Sequence, residues 1–303
     1  DAKLLADYSL KIGDAIVVTV RQKPVDIAFV SMKSYDTEWA TALIKQYLAP
    51  DGFIVSLQNC LNEERIANQV GWGKTVGMVA SLISVDMYEA ARIRRTVAKG
   101  GDKHTVFRVG EVHGRITKRV EELREMVGRI DSAKTTTNLW GERWSKLCQN
   151  GMKNGVSAAT GLTGADCDRN DAIRRFSIKL GGEAVRVGQA LGYHIEKIGK
   201  MEPETLAKAS EGDKAALDEI ETILRPGSNT NPNPRADIQR PSMAQDIRKG
   251  RRTEIEFMNG HVVAVARAIG RQAPLSAALT DLVLKVERGA LKADPALITD
   301  LRI

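Results

Sequence analysis

Short runs of apolar, often β-branched residues alternate with helical stretches through the first third of the chain. Four such runs stand at 14–20, 26–33, 52–59 and 74–84. Between the second and third runs, the stretch TEWATALIKQYLAP has an amphipathic pattern whose Trp39, Leu43 and Leu48 suit a helix packing on a sheet. Continuous apolar strands separated by helices favour parallel pairing with both faces covered. The pattern predicts an α/β domain with a Rossmann-like parallel sheet.

Two polar residues stand at the ends of predicted strands. Lys33 closes the second apolar run and Asn59 closes the third. Ligands of open α/β sheets bind outside the carboxyl ends of the strands. Lys33 and Asn59 are therefore candidate binding residues.

The pattern of apolar residues changes near residue 138, where long helical periodicity replaces the strand pattern and continues almost to the C-terminus. We place the domain boundary between Lys134 and Asn138. The chain should divide into a sheet domain over 1–135 and an all-helical C-terminal domain over 136–303.

The opening of the helical half carries an unusual polar stripe. Residues 144–161 read WSKLCQNGMKNGVSAATG and place Lys146, Asn150 and Asn154 four residues apart. Steps of four drift by only about 40° on a helix, so these side chains project from one face. The small residues around them, Gly151 and Gly155 included, indicate a helix that something approaches closely. The stripe is either a solvated helix face or the lining of a pocket.

A proline-rich and asparagine-rich loop, 225–241, precedes a second region of interest. Ser242 and Gln245 have the spacing of a capping box, and apolar periodicity then continues to Gly270, which predicts one long helix. Glu254 falls on the apolar stripe of that helix, where a carboxylate is costly unless it has a partner. The partner is either a nearby arginine, in a structural salt bridge, or Lys146 or a ligand.

Composition narrows the class of protein. The 303 residues carry 45 basic and 38 acidic side chains, a formal net charge of +7 spread along the chain. The densest basic cluster, RKGRR at 248–252, lacks interleaved aromatic residues, so we expect no nucleic-acid partner. No apolar run approaches the roughly 20 residues needed to span a bilayer, and no signal-peptide core is present, so we expect a cytoplasmic protein without membrane attachment.

The cysteines and histidines do not form a recognisable site. Three cysteines lack CxxC spacing and four histidines are scattered, which predicts neither disulfides nor a metal site. GWGKT at 71–75 lacks the first glycine of a phosphate-binding loop, since Asn68 stands there. DCDRND at 166–171 lacks the glycine of a calcium loop, since Asp171 takes its place.

With these features in place, the sequence resembles the ketopantoate reductases (2-dehydropantoate 2-reductases). The similarity runs from VDIAFVSMKSYDT through SLQNCLNEE and ERWSKLCQNGMKN to SMAQDIRKGRRTEIEFMNG. Related hydroxyacid dehydrogenases share the lysine and first asparagine of the third segment, whereas the last segment discriminates between families. The resemblance covers most of the chain.

The resemblance implies a role for each candidate residue. Lys146 is the implied proton donor, while Asn150 and Asn154 contact the hydroxyl end of the substrate and Ser242 holds its carboxylate. Lys33 and Asn59 face the cofactor, with Asn59 also close to the substrate. Glu254 bridges the cofactor and the reacting groups. NADP as the cofactor follows from the resemblance alone, which is also compatible with a homodimer.

Three departures from the family pattern stand out. Cys60 replaces the glycine that usually follows the strand-end asparagine, and Gly164 stands near the position of a further substrate-binding asparagine. No G-x-G-x-x-G occurs in the chain, which starts where the family has already passed its first strand, glycine loop and helix. We expect the natural polypeptide to carry about 30 such residues at its front rather than to lack a phosphate cradle.

The resulting hypothesis is hydride delivery from a reduced nicotinamide to the C2 carbonyl of a 2-oxo acid, namely 2-dehydropantoate. The Lys146 ammonium would stabilise the developing alkoxide and then protonate it. Two alternatives stay open. One is a related dehydrogenase acting on another 2-oxo or 3-hydroxy acid, and the other is a non-catalytic nucleotide-sensing scaffold with the same fold.

Overall fold

The computed structural model describes residues 10–12, 15–17, 24–89, 92–95, 97–225 and 240–302. The chain divides into two compact units. The first, here called the sheet unit, comprises residues 1–58 and 62–137, and the second, the helical unit, comprises residues 59–61 and 138–303. Residues 59–61 thus belong to the helical unit although they follow a strand of the sheet.

The sheet unit is built on a five-stranded sheet. Its described strands are β1 (Leu10–Ile12), β2 (Ala15–Val17), β3 (Val25–Val30), β4 (Leu48–Ser56), β5 (Thr75–Ala80), β6 (Val85–Glu89), β7 (Arg92–Arg95), β8 (Phe107–Glu111) and β9 (Ala133–Thr135). The sheet order is β3-β4-β5-β8-β9, while β1 pairs with β2 and β6 with β7 as separate antiparallel pairs.

Strand direction changes once in the five-stranded sheet. The β3, β4 and β5 strands are parallel neighbours, as predicted for three of the four apolar runs. The prediction is wrong for the run at 14–20, which holds β2, since β2 pairs antiparallel with β1 outside this sheet. The β8 strand is antiparallel to β5, and β9 is parallel to β8. The described residues between β5 and β8 form the antiparallel β6–β7 pair and no helix, so no helical crossover among them forces parallel pairing. The α/β class is confirmed, with a sheet that is mixed at one side.

Three helices cover the two faces of the sheet. They are α1 (Thr37–Lys45), α2 (Glu63–Val70) and α3 (Lys118–Gly128). Ile54 packs with Ile66 of α2, whereas the flanking Phe53 and Val55 pack with Leu123 of α3. Successive strand residues therefore bury opposite faces, which explains the continuous apolar runs.

The prediction that Trp39 packs on the sheet is wrong. Trp39 is 58% exposed, and the buried side of α1 is formed by Thr37, Ala40 and Thr41. The helix sits close to its neighbours through small side chains, so the largest apolar residue of this stretch faces outward.

The helical unit contains nine described helices. They are α4 (Leu139–Thr160), α5 (Gly164–Arg169), α6 (Asp171–Ala190), α7 (Pro203–Ser210), α8 (Lys214–Leu224), α9 (Ser242–Arg248), α10 (Asn259–Ala268), α11 (Pro274–Glu287) and α12 (Ala296–Thr299). Glycines allow close packing between them: a Cβ at Gly188 of α6 would overlap the Trp144 indole of α4. Trp144 is fully buried, and its Nε1–H donates to the Ala184 carbonyl at 2.9 Å.

The predicted long helix from Ser242 to Gly270 is wrong. The α9 helix ends at Arg248, and the chain turns at Gly250, whose φ is 61°. A single 3₁₀ turn, Ile255–Phe257, then leads into α10. The capping box also fails, because Ser242 is the first helical residue and the Gln245 side chain donates to the Arg240 carbonyl at 2.8 Å instead.

No helix among the described residues has both the length and the apolar composition needed to cross a bilayer.

Candidate functional site

The α4 helix carries all three residues of the polar stripe. The Asn138 side chain accepts a hydrogen bond from the Gly141 N–H and caps its start, and Gly161, with φ at 72°, ends it. Lys146 and Asn150 are partly buried, and Asn154 is 8% exposed. A fully solvated face would leave these side chains exposed, so their burial sets the stripe apart from an ordinary surface.

The small residues beside the stripe pack closely against other parts of the helical unit. A Cβ at Gly151 would lie 3.4 Å from the Asn259 Nδ2, and a Cβ at Gly155 would lie 3.0 Å from the Ile255 Cδ1. Each glycine follows an asparagine of the stripe and is turned about 100° from it around the helix. The close approach that the small residues indicated comes from protein, on a face next to the stripe.

Glu254 is held at that same level of α4, at the start of the 3₁₀ turn. It is 5% exposed, and the next residue, Ile255, contacts Gly155. Glu254 is therefore buried as predicted, although it lies in an irregular segment and not on a helix stripe. An inward carboxylate needs polar or cationic neighbours. Its burial beside the helix of Lys146 makes it a candidate functional group.

Ser242 lies at the first position of α9, a short helix that packs against α4. Its side chain is exposed, unlike the buried Met243 and Ala244 that follow. An exposed hydroxyl at a helix start is free of the core and able to meet a ligand. Ser242 thus shares the helical unit with Lys146, Asn150, Asn154 and Glu254.

Lys33 and Asn59 follow adjacent parallel strands. Val30 of β3 pairs with Ser56 of β4, and the Leu57 N–H donates to the Val30 carbonyl at 2.9 Å. Lys33 stands three residues beyond the end of β3 and Asn59 three beyond the end of β4, and both are partly buried. The strand ends therefore meet at one edge of the sheet, as parallel pairing predicted.

Cys60 has a backbone conformation that L-amino acids rarely adopt. Its φ is 66°, in the left-handed region, and its side chain is 6% exposed in the apolar core of the helical unit. Glycine adopts this conformation without a steric cost, whereas a residue with a Cβ is strained there. The backbone at this position thus accounts for a glycine after the strand-end asparagine, and this chain keeps the conformation with a cysteine.

Cys148 and Cys167 are not prepared for nucleophilic chemistry. Burial raises the pKa of the Cys148 thiol on α4, and burial likewise raises the pKa of Cys167. Both thiols stay protonated at neutral pH, whereas only a thiolate is an effective nucleophile. The chemistry of the α4 face is that of an ammonium group and two carboxamides.

Comparison with protein families assigns the chain. A family described as "Ketopantoate reductase PanE/ApbA" matches residues 10–105, and its partner "Ketopantoate reductase PanE/ApbA C terminal" matches residues 138–287. The chain belongs to the ketopantoate reductase family. The resemblance inferred from the sequence is thereby confirmed.

Individual ketopantoate reductases are distant in sequence. A 2-dehydropantoate 2-reductase from Archaeoglobus fulgidus is 26% identical over 276 residues, which cover 90% of this chain and 81% of that protein. The fold matches that of a dimeric ketopantoate reductase from Staphylococcus aureus, with 18% identity, a TM-score of 0.67, and 91% of this chain and 83% of that chain covered. It also matches a complex of D-mandelate dehydrogenase with NADH, with 16% identity, a TM-score of 0.70, and 87% and 79% covered.

Sequence reasoning about this ketopantoate reductase family member missed two buried amides. Gln58 and Asn259 are 3% and 2% exposed, and each donates to a backbone carbonyl next to a candidate residue. Gln58 lies in SLQNCLNEE and Asn259 in the last discriminating segment, so both stood inside stretches already marked as characteristic. Their role was invisible because it depends on which carbonyl each amide reaches.

Proposed function

We propose that this protein catalyses the NADPH-dependent reduction of 2-dehydropantoate to pantoate, with Lys146 as the proton donor. Membership of the ketopantoate reductase family supports the substrate class and the reaction. The observation that carries the assignment is the α4 face, where a partly buried ammonium is aligned with two carboxamides in the unit that also holds Asn59, Ser242 and Glu254.

The chemistry needs one hydride and one proton. Reduced nicotinamide, when bound, supplies the hydride that the C2 carbonyl carbon receives. The Lys146 ammonium stabilises the negative charge that develops on the carbonyl oxygen and gives that oxygen its proton. The carboxamides of Asn150 and Asn154 donate to the substrate's hydroxyl end and orient it without adding charge.

The substrate carboxylate and the ammonium each need a partner. In this proposal the exposed Ser242 hydroxyl donates to the carboxylate, and the buried Glu254 fixes the direction of the Lys146 ammonium. Glu254 would also reach the cofactor, as the resemblance implies.

The residues at the strand ends fit an anionic dinucleotide. Lys33 supplies a cation and Asn59 a carboxamide, and the pairing of β3 with β4 puts both just beyond the carboxyl ends of parallel strands. That edge is where nucleotides bind in open α/β sheets. We propose that Lys33 and Asn59 hold the cofactor, that the region 1–135 binds the dinucleotide and that 136–303 binds the substrate.

The choice of NADPH over NADH rests on the family resemblance. A D-mandelate dehydrogenase that shares the fold was solved in complex with NADH, so the fold by itself does not select NADPH. The assembly proposed is a homodimer, supported by the dimeric relative from Staphylococcus aureus. Sedimentation velocity distinguishes a dimer from a monomer directly.

A panel of 2-oxo acids tests the proposed function. The natural gene product is mixed with NADPH or NADH, and nicotinamide oxidation is followed by absorbance with 2-dehydropantoate and with 2-oxo acids lacking its hydroxymethyl group. We expect the highest kcat/KM with 2-dehydropantoate and NADPH. A preference for another acid would favour the related-dehydrogenase alternative, and tight nucleotide binding without turnover of any acid would favour the sensing scaffold.

A further inference from the structure

A buried glutamine ties together the two strand-end segments that carry Lys33 and Asn59. Gln58 directly precedes Asn59 and is 3% exposed. Its Nε2 donates to the Met32 carbonyl at 2.8 Å, and Met32 directly precedes Lys33. One side chain thus spans from the segment after β4 to the segment after β3.

The other contacts of Gln58 fix its side chain in place. Its Nε2 also donates to the Thr37 Oγ1 at 2.8 Å, and the Thr37 hydroxyl in turn donates to the Ser34 carbonyl at 2.8 Å. The Asn62 Nδ2 donates to the Ser34 Oγ at 3.1 Å. Buried polar networks whose members are paired rigidify the segments that they join. Gln58 and Asn62, which follow β4, therefore fix the turn between β3 and α1 through these hydrogen bonds.

We infer that Gln58 is a positioning residue for the cofactor. The inference rests on the proposed function, in which Lys33 and Asn59 hold the dinucleotide. A hydrogen bond to the Met32 carbonyl fixes the peptide that leads into Lys33, and the same side chain anchors the backbone that leads into Asn59. Groups that are held in their binding geometry before the ligand arrives lose less entropy when it binds. Gln58 acts through these neighbours.

The chain offers a matched control for this glutamine. Gln69 makes the same kind of bond, with its Nε2 donating to the Glu38 carbonyl at 2.7 Å, but on α2. Gln58→Leu removes the bonds to the Met32 carbonyl and the Thr37 hydroxyl, and Gln69→Leu removes the bond to the Glu38 carbonyl. Both substitutions keep a similar side-chain volume. The probe is NADPH alone, titrated against each folded variant by nicotinamide fluorescence.

We expect Gln58→Leu to weaken NADPH binding by about tenfold, and Gln69→Leu to stay within about twofold of the wild type. A purely structural Gln58 would lower the yield or melting temperature of the protein and leave the dissociation constant of the folded fraction unchanged. That second outcome, or an equal effect of both variants, would overturn the inference.

Gln58→Glu adds a second measurement, the pH dependence of cofactor affinity. A purely structural role of Gln58 would leave that dependence unchanged. A carboxylate cannot donate to the Met32 carbonyl, whereas its protonated form has an O–H that can. Acid-stable NADP⁺ serves as the probe between pH 8 and pH 5. We expect the affinity of Gln58→Glu, relative to the wild type, to recover as the pH falls, and a constant ratio would count against the inference.

Hydrogen exchange separates this inference from the proposed function. If the wild type binds neither NADPH nor NADP⁺, the proposed function fails on that observation alone. When the wild type does bind, amide exchange in peptides covering 31–36 and 57–62 tests the step on which the positioning role depends, namely that Gln58 orders both segments. Faster exchange there in Gln58→Leu than in Gln69→Leu supports it, and equal exchange in the two variants contradicts it.

Discussion

At the scale of single residues, the backbone at position 60 departs from the conformation that L-amino acids ordinarily adopt. Cys60 combines a φ of 66° with a buried side chain, whereas Cys148 is buried inside the regular α4 helix. The sequence marked position 60 as unusual for the family, but only the structure shows which backbone conformation the cysteine has to adopt.

A comparison of alanine and glycine at these two cysteines tests the strain. Cys148→Gly should be less stable than Cys148→Ala by about 1 kcal/mol, because glycine is unfavourable within a helix. Cys60→Gly should be at least as stable as Cys60→Ala, because glycine relieves the left-handed strain. Urea unfolding gives both differences. A glycine penalty at position 60 equal to that at 148 would show that no strain is present.

Glu254 has a matched neighbour two residues away. Glu254 is 5% exposed, whereas Glu256 is exposed and forms a surface ion pair with Arg252 at 3.0 Å. In the proposed mechanism, Glu254→Ala lowers kcat by about tenfold or more and raises the substrate KM, while Glu256→Ala leaves both near the wild type. Steady-state kinetics decide the point, and normal turnover in Glu254→Ala would assign its burial to structure alone.

At the scale of elements, apolar periodicity predicted where strands and helices lie better than where they break. Met243 and Ile247 lie in α9, and Met258 and Val262 belong to the region of α10. Ile247 and Met258 are eleven residues apart, close to three helical turns. The apolar positions of α9 and α10 therefore follow one helical periodicity, which predicts a single helix. The break at Gly250 shows in the sequence only as a polar run, 248–254, which the shared phase spans. Trp39 shows the converse error, since small residues and not the largest apolar one face the interior of α1.

The close packing around Gly155 of α4 gives a prediction about stability. An alanine at Gly155 would bring its Cβ to 2.9 Å from Leu279 Cδ2 and 3.0 Å from Ile255 Cδ1, so the neighbouring side chains must shift. We expect Gly155→Ala to lower the free energy of unfolding by about 1–3 kcal/mol. Gly164→Ala, with open space around its Cβ at the start of α5, serves as the control and should be neutral or slightly stabilising. Chemical denaturation measures both, and equal stability of the two variants would contradict the packing account.

At the scale of the whole molecule, buried carboxylates make stability depend on pH. Burial by itself raises the pKa of Asp131, but hydrogen bonds from the Ser132 N–H, the Arg95 side chain and the Gly100 N–H outweigh it and lower the value to about 2. Burial also raises the pKa of Glu111, but hydrogen bonds from Arg119 and Thr117 outweigh it and leave the pKa below its ordinary value. Carboxylates of this kind stabilise the fold above their unfolded pKa, near 4, and lose that contribution as the pH falls.

Unfolding experiments between pH 5 and pH 2 test this account. The wild type should lose stability as the pH falls from about 4 to about 2, because protonation of Asp131 breaks its charged hydrogen bonds. Asp131→Asn should be less stable at pH 5 and show a shallower loss over that interval. Asp102→Asn, which alters an exposed carboxylate of the same unit, should keep the wild-type slope. An identical slope in all three proteins would refute the assignment to Asp131.

The fold class was predictable from the sequence because it depends on apolar runs, and the family was predictable because four segments, the last above all, resemble it. The α4 stripe needed only the helical repeat, and the strand ends needed only parallel pairing. Gln58 and Asn259 were not predictable, because their contribution lies in which distant carbonyl each buried amide reaches. The sequence therefore indicates the residues proposed to contact ligand, but it does not indicate the buried residues proposed to hold them in place.

The central claim is that the Lys146 ammonium protonates the reduced carbonyl, and one pair of variants tests it most directly. Lys146→Ala and Lys153→Ala each remove a lysine from α4, and Lys153, about two helical turns beyond Lys146, forms an ion pair with Asp168. In NADPH oxidation with saturating 2-dehydropantoate, we predict that Lys146→Ala lowers kcat by at least about a hundredfold with the fold intact, while Lys153→Ala stays within about threefold of the wild type. Near-normal turnover in a folded Lys146→Ala protein would contradict the account.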